Sequence, residues 1–99
     1  MLNETLHRNI TNPKLKVEDI GDEMGLSRVQ LYRKVKALTG LTPNELIRKT
    51  RLQEACRLLK TTDGTIQEIA FSVGFSTPGY FTTCFRQEFG MYPNDARDR

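Results

Sequence analysis

Apolar residues recur every three or four positions along nearly the whole chain, and the period-two alternation of strands is almost absent. This spacing predicts a short first helix over residues 2–10 and a second over residues 17–24. A third helix begins at residue 28, a fourth runs from residue 43 to about residue 60, and three more begin at residues 66, 78 and 93. The chain is therefore predicted to be all-α. At 1.5 Å per residue the fourth helix is roughly 28 Å long, enough to bridge two small bundles.

Capping signals mark the helix starts. Ser27 precedes Gln30 by three positions and Thr65 precedes Glu68 in the same way, so each pair can form a capping box that satisfies two backbone amides. Pro43 stands at the first position of the fourth helix, where its fixed φ suits a helix start. The Asn-Pro pair at residues 12–13 separates the first predicted helix from the second, and the Asp-Gly pair at residues 63–64 separates the fourth from the fifth.

The chain contains a degenerate internal duplication. The segment "EDIGDEMGLS", residues 18–27, aligns with "QEIAFSVGFS", residues 67–76, at an offset of 49. Farther on, Gly40 and Pro43 align with Gly90 and Pro93 at an offset of 50. The second copy therefore carries one inserted residue.

Each copy places a small residue, Gly21 or Ala70, four positions before a glycine, Gly25 or Gly74. Such a glycine can take a positive φ and end a helix sharply, and the small residue lets the next helix pack closely. This pattern is typical of a helix-turn-helix. We predict one domain over residues 1–99, with two helix-turn-helix subdomains, residues 1–41 and 61–99, joined by a long bridging helix over residues 42–60.

Positive charge is concentrated in the middle of the chain. The formal net charge is +3, but residues 1–26 carry −2, residues 27–60 carry +7 and residues 61–99 carry −2. A local excess of this size attracts a polyanion, while a solvated helical face is the alternative interpretation of charge alone. The chain has no apolar run of about 18 residues. We therefore expect no membrane contact and a cytoplasmic location.

The third helix carries two stripes of different character. Its predicted core stripe follows i, i+4 and i+7: Leu31, Val35 and Leu38. Its predicted exposed stripe is mixed: Val29, Tyr32, Arg33 and Lys36. In the second copy the core stripe is Phe81, Phe85 and Phe89, and the exposed residues are Gly79, Thr82, Thr83 and Arg86. One stripe can fold the domain while the other meets a partner.

The segments "SRVQLYRKVKALTGLTP", "IRKTRLQEACRLL" and "IQEIAFSVGFSTPGYFTTCFRQEFGMYP" together closely resemble the DNA-binding domain of the AraC-type (arabinose-regulator-like) transcription regulators, over about residues 17–97. The stretch "LYRKVKALTG" is also similar to the C-terminal output domain of hybrid two-component regulators, membrane sensors that control carbohydrate-use genes in gut Bacteroidetes. The resemblance implies sequence-specific binding of double-stranded DNA, with the second helix of each motif in successive major-groove segments.

By position, the resemblance implies two sets of DNA contacts. The base contacts are Val29, Tyr32, Arg33, Pro78, Gly79, Thr82 and Thr83. The phosphate contacts are Ser27, Arg28, Lys36, Ser76, Thr77 and Arg86, with the amides at the Ser27 and Ser76 helix starts adding partial positive charge. Arg33 is the leading candidate for guanine because a guanidinium can donate to O6 and N7 together. A phosphate contact or ion pair is the alternative for Arg33, and packing against neighbours is the alternative for Tyr32.

The second recognition helix departs from this pattern because it offers no arginine or amide side chain at its base-facing positions. We therefore hypothesise that the first motif supplies most of the base specificity and that the second mainly holds phosphates or thymine methyl groups.

The remaining chemistry is sparse. Cys56 and Cys84 fall in apolar stripes and are predicted to act as small buried hydrophobes in a reducing compartment, with a disulfide between them left open. Together with His7 they lack the spacing of a zinc site or of a nucleophile and base. We predict no enzyme activity, no metal and no cofactor. The acidic residues of the second helix form either a solvated face or a contact for RNA polymerase: Glu18, Asp19, Asp22 and Glu23.

A different class of function is the alternative. In it, a helical protein-interaction module docks an acidic partner through the basic part of the bridging helix: Arg48, Lys49, Arg51 and Arg57. The isolated domain is expected to be a monomer in either case, and dimerisation is left open for a longer protein.

Overall fold

Seven α-helices and no strand are found among the residues that the structure, a computed structural model, describes. These are residues 2–98, apart from the side chain of Asn3, so Met1 and Arg99 of the predicted domain lie outside them. The helices are α1 (Leu2–Asn9), α2 (Val17–Met24), α3 (Arg28–Thr39), α4 (Pro43–Thr61), α5 (Ile66–Ser72), α6 (Pro78–Phe89) and α7 (Pro93–Arg97). The all-α prediction is confirmed.

The predicted capping signals begin the helices where the sequence indicates. At the start of α3 the Ser27 hydroxyl accepts from the Gln30 amide at 3.2 Å, and the Ser27 amide donates to Gln30 Oε1 at 2.9 Å. The same reciprocal pair, Thr42 with Glu45, starts α4. The backbone amide of Thr42 also lowers the pKa of the Glu45 carboxyl by donating to its charged form. Thr65 with Glu68 repeats the arrangement at α5.

The two helix-turn-helix turns are built alike. Gly25 and Gly74 both have a positive φ, of 70° and 99°. Each turn is closed by a hydrogen bond across five residues: the Leu26 amide donates to Gly21 O at 2.8 Å, and the Phe75 amide donates to Ala70 O at 3.0 Å. A Cβ on Gly21 would lie only 2.8 Å from the Leu26 carbonyl oxygen, so the first turn is closed tightly around the missing side chain. We call α2–α3 the first motif and α5–α6 the second motif.

Two hydrophobic cores lie on either side of α4. The first is formed by Leu6, Ile10, Val17, Ile20, Leu31, Val35 and Ile47. The second is formed by Leu52, Ala55, Leu59, Ile69, Ala70, Val73, Phe75, Phe81, Cys84, Phe85 and Ala96. α4 supplies Ile47 to the first core and Leu52, Ala55 and Leu59 to the second, because successive turns of one helix face different neighbours. The molecule is accordingly elongated, with principal extents of 41 × 22 × 21 Å.

The predicted core stripes need one correction. Leu31 and Val35 are buried, but Leu38 is 65% exposed. The α3 stripe is correctly aligned, yet burial also needs a neighbour, and the last turn of α3 extends beyond the side chains that make the first core. In α6, Phe81 and Phe85 are fully buried, while Phe89 is half-buried and packs against the edge of the second core.

Arg97 closes the second core from its far end. Its Nε donates to Leu59 O at 3.1 Å, and its Nη2 donates to the carbonyl oxygens of Thr62 and Gly64. Leu59 lies in the last turn of α4, and Thr62 and Gly64 follow that helix. The carbonyls at a helix C-terminus lack intrahelical partners, so a cation that caps them also complements the negative end of the helix dipole. α7 is thereby fastened to the end of α4.

Within residues 2–98, no helix has the length and apolar composition that crossing a membrane requires.

Candidate nucleic-acid interface

The exposed stripe of α3 is the first part of the candidate interface. Val29 is 60% exposed and Tyr32 is 47% exposed, although large apolar and aromatic groups usually lose more of their surface on folding. Arg33 and Lys36 are exposed beside them. Because Leu31 and Val35 on the opposite face are buried, the orientation of the helix is fixed and this stripe must face outward. We call these four residues the α3 face.

Arg28 lies at the edge of the α3 face and forms an ion pair with Glu18 of α2, with a distance of 3.2 Å between Arg28 Nη1 and Glu18 Oε1. Both side chains are largely exposed, so the pair contributes at most about 1 kcal/mol. An arginine held this weakly can exchange its carboxylate for a phosphate without a large loss.

The exposed side of α6 is the second part. Gly79 and Thr83 are exposed, whereas Pro78 and Thr82 are half-buried. The Thr83 hydroxyl donates to Gly79 O at 3.1 Å, one turn earlier. A shallow groove runs along this side, and its lining contains two residues that the sequence prediction left out, Gln87 and Tyr92. We call this set the α6 groove: Thr82, Thr83, Arg86, Gln87 and Tyr92.

The sequence alignment implied that Ser76 stands at the start of α6, but the structure places a different residue there. The N-cap is Thr77, whose hydroxyl accepts from the Tyr80 amide at 3.2 Å, and the helix begins at Pro78. The inserted residue of the second copy falls inside this turn, so Ser27 is matched by Thr77 at an offset of 50 and not by Ser76 at 49. Ser76 is exposed and precedes the cap, and the amides of the helix start belong to the following residues.

Arg86 is held in place by Tyr92. Its guanidinium carbon lies 4.8 Å from the centre of the Tyr92 ring, and Nη1 donates to the Tyr92 hydroxyl at 3.1 Å. In the first motif the matching residue is Thr42, which caps α4, whereas Tyr92 makes no side-chain cap at the start of α7. Since a guanidinium has five N–H donors, most of them stay available to a ligand. Arg86, a predicted phosphate contact, and the amide of Gln87 thus lie next to the predicted base contacts Thr82 and Thr83.

We expect the substitution Tyr92→Leu to lower affinity for any DNA duplex by about two- to fivefold, because an exposed cation–π contact contributes about 0.5–1 kcal/mol to holding Arg86. The slope of log affinity against log salt should stay unchanged, since the charge remains. Arg86→Met, by contrast, should reduce that slope by about 1. Fluorescence anisotropy titrations at several salt concentrations measure both quantities, and an unchanged slope for Arg86→Met would exclude a phosphate contact by Arg86.

The basic part of α4 is mostly engaged within the protein. Arg51 is half-buried and donates to Ile10 O at 2.9 Å and Asn12 O at 2.7 Å. Arg57 pairs with Glu54, and the hydrogen bond between them lowers the pKa of Glu54 and raises that of Arg57. Lys49 lies 4.0 Å from Glu88. The pairs of Arg57 and Lys49 are partly exposed and can exchange for an acidic partner as readily as the Arg28 pair can for a phosphate. Arg51 alone is held by backbone carbonyls, so it is the candidate charge that the alternative function loses.

The acidic side of α2 is also used internally. Glu23 pairs with Arg8 at 2.6 Å and accepts from Asn9 Nδ2 at 2.7 Å, which fastens α1 to α2. The Lys16 amide donates to Asp19 Oδ2 at 3.0 Å at the start of α2. Together with the Glu18–Arg28 pair, these contacts give three of the four predicted acidic residues a structural role.

The cysteines carry no paired chemistry. Both thiols are free: Cys84 is buried in the second core and Cys56 is half-buried beside it. Among residues 2–98, no group of three or more His, Cys, Asp and Glu side chains converges as a metal site.

The sequence matches known helix-turn-helix proteins over most of its length. The model of a family described as "Helix-turn-helix domain" matches residues 20–99. The chain is 40% identical over 91 residues to histidine kinase P4 from Formosa agariphila, an alignment that covers 92% of this chain and 7% of the kinase. The chain therefore spans less than a tenth of that relative's length.

Solved structures share the whole arrangement. A Chromobacterium violaceum transcriptional regulator, described as containing an AraC-type DNA-binding domain, has a TM-score of 0.91 and 31% identity, with 98% of this chain and 86% of that chain covered. The DNA-binding domain of the global transcriptional factor AdpA, solved in complex with a target DNA, has a TM-score of 0.87 and 28% identity, with 98% and 89% covered.

Proposed function

Since the chain belongs to the AraC-type family of helix-turn-helix domains and is thus a sequence-specific DNA-binding domain of a transcription regulator, we propose that α3 and α6 are its two recognition helices. They enter successive major-groove segments on one face of the duplex. Bases are contacted by Val29, Tyr32, Arg33, Pro78, Gly79, Thr82 and Thr83. Phosphates are contacted by Ser27, Arg28, Lys36, Ser76, Thr77 and Arg86.

The observation that carries this proposal is the repeated geometry of the two motifs. Each has a glycine turn with positive φ, a recognition helix with a buried apolar side, and an outward side that carries polar and basic groups. A single exposed helix is common in bundles with no nucleic-acid role. Two equivalent ones on a shared bridging helix fit a partner that itself repeats, and a duplex repeats about every 34 Å. RNA fits less well, because the major groove of A-form helices does not admit a recognition helix.

The response to salt tests the electrostatic part of the proposal. Arg28, Lys36 and Arg86 supply three cations for phosphates, and each neutralised phosphate contributes about −0.9 to the slope of log affinity against log salt. We therefore expect a slope of about −3, measured by anisotropy with a preferred duplex. A scrambled duplex of the same length should bind more weakly with a similar slope.

A protein-interaction module would give a different result. It would bind DNA, if at all, with equal affinity for the preferred and the scrambled duplex, since phosphate contacts carry no sequence information. Equal binding by the folded domain would contradict the assignment of α3 and α6 as recognition helices.

For the longer protein, we propose that this domain is the output part of a hybrid two-component regulator, supported by the match to a histidine kinase. The family consists of DNA-binding regulator domains and is not an enzyme family. We propose a cytoplasmic location for this domain, because its DNA target lies in the cytoplasm. We also propose that α2 contacts RNA polymerase, which a polymerase-binding assay tests. The isolated domain is proposed to be a monomer, which analytical sedimentation tests.

A further inference from the structure

One charged residue of the bridging helix lies between the two motifs and not on the outer surface. Arg51, near the middle of α4, is half-buried and reaches back to the loop after α1. Its Nε and Nη2 donate to the carbonyl oxygens of Ile10 and Asn12, at 2.9 Å and 2.7 Å. Burial lowers the pKa of the Arg51 guanidinium, although arginine remains protonated near neutral pH. A phosphate contact is therefore not its main use.

The turn of the second motif packs on the same atoms. A Cβ added to Gly74 would lie far inside van der Waals contact with the Ile10 carbonyl oxygen and 2.8 Å from Arg51 Nε. The equivalent glycine of the first motif, Gly25, has no atom within 4 Å of such a Cβ. The close approach therefore belongs to this location and is not a general property of the turn. We call Ile10, Asn12, Arg51 and Gly74 the junction.

The junction is important because little else links the two motifs. Within residues 2–98, α2 and α3 have no extensive packing against α5, α6 or α7, and the two cores meet through α4. Long helices curve gently even when intact. Bending of α4 changes the angle between the two motifs unless a second contact joins them. The Arg51 hydrogen bonds tie the loop after α1, which contributes Ile10 to the first core, to the middle of α4. The Gly74 turn that precedes α6 packs directly against this contact.

We propose that Arg51 is a positioning residue that sets the spacing and rotation between the two recognition helices, and so determines which half-site spacing the domain accepts. This inference rests on the proposed function, because it presupposes that α3 and α6 both contact DNA. Arg51 contacts no base in this proposal. It acts by holding α6 at a fixed angle to α3, so its contribution appears only when both half-sites are engaged.

The test is a spacing series. Duplexes carry both half-sites with the spacer changed from −2 to +2 base pairs, and each base pair turns one half-site by about 36° relative to the other. We expect the wild-type domain to lose about tenfold in affinity for a change of one base pair. Arg51→Met keeps the aliphatic stem and removes both donors. We expect this variant to lose less than about threefold in affinity for the same change of spacer, and to bind a duplex with a single half-site as tightly as the control variant Arg48→Met does.

Arg48→Met is the matched control, since Arg48 lies on the same helix, is exposed and loses the same charge. It should weaken binding to all duplexes alike and keep the steep spacing profile. If Arg51→Met does not fold, as judged by its circular dichroism, Arg51→Lys retains the charge and a single donor nitrogen and should give an intermediate profile.

The outcomes are distinct. A spacing profile of the Arg51 variant as steep as that of the wild type would overturn the positioning role while leaving the proposed function intact. A wild-type domain that prefers no duplex sequence would instead contradict the proposed function itself.

Discussion

Gly74→Ala is expected to lower the free energy of unfolding by about 3 kcal/mol, whereas Gly25→Ala at the equivalent position of the first motif should lower it by only about 1 kcal/mol. Both glycines have a positive φ, so both substitutions incur backbone strain. Only at Gly74 does the added Cβ also meet a backbone carbonyl and the Arg51 side chain, neither of which can move without breaking the junction.

Urea unfolding of the two variants and the wild type, followed by circular dichroism, measures this difference. Because the two glycines occupy the same place in two copies of one motif, each variant is the control of the other. Equal losses of stability would mean that backbone conformation alone requires the glycine. The contact between the second turn and the end of α1 would then be of no consequence for stability.

Arg33→Ala is expected to lower affinity for a preferred duplex by about 10- to 100-fold and to remove the preference at one base pair, because a bidentate arginine–guanine pair contributes about 1–3 kcal/mol of discrimination. Lys34→Ala is the matched control: Lys34 is the next residue, is exposed, and loses the same charge. It should weaken all duplexes alike. Competition binding with single base-pair variants of the duplex distinguishes the two patterns.

Two results would contradict parts of this interpretation. If Arg33→Ala weakened preferred and altered duplexes equally, Arg33 would be a phosphate contact. If Thr82→Ala with Thr83→Ala relaxed base preference as strongly as Arg33→Ala, the first motif would not supply most of the specificity. The presence of Arg86 and Gln87 in the α6 groove makes this second comparison informative, since they offer donors that the predicted base contacts of α6 lacked.

Local signals in the sequence predicted the helices well because they are chemically explicit. Capping pairs such as Ser27 with Gln30 satisfy backbone groups wherever they occur, so the start of α3 at Arg28 was predictable. The predicted burial of Leu38 was wrong. Helical periodicity tells which way a side chain points, but not whether another element lies there to cover it. The duplication contained the missing information: at an offset of 50, Leu38 matches Glu88, an exposed acidic residue.

Contacts between distant segments were beyond the sequence pattern. Arg51 was grouped with exposed cations because its charge resembles theirs, yet its partners are backbone carbonyls about 40 residues away, and every residue carries such a carbonyl. Tyr92 was similarly missed, although its replacement of a capping threonine in the duplication was a visible signal. The predicted DNA contacts themselves stay a prediction, and the structure adds that all of them except the half-buried Pro78 and Thr82 are exposed.

Selection of bound duplexes from a random library at near-physiological salt, with the domain of residues 1–99, measures the double recognition most directly. We predict a bipartite motif whose half-sites lie about one helical turn, roughly 34 Å, apart, with the stronger base preference in one half. Recovery of no enriched sequence by well-folded protein would contradict recognition of DNA by α3 and α6.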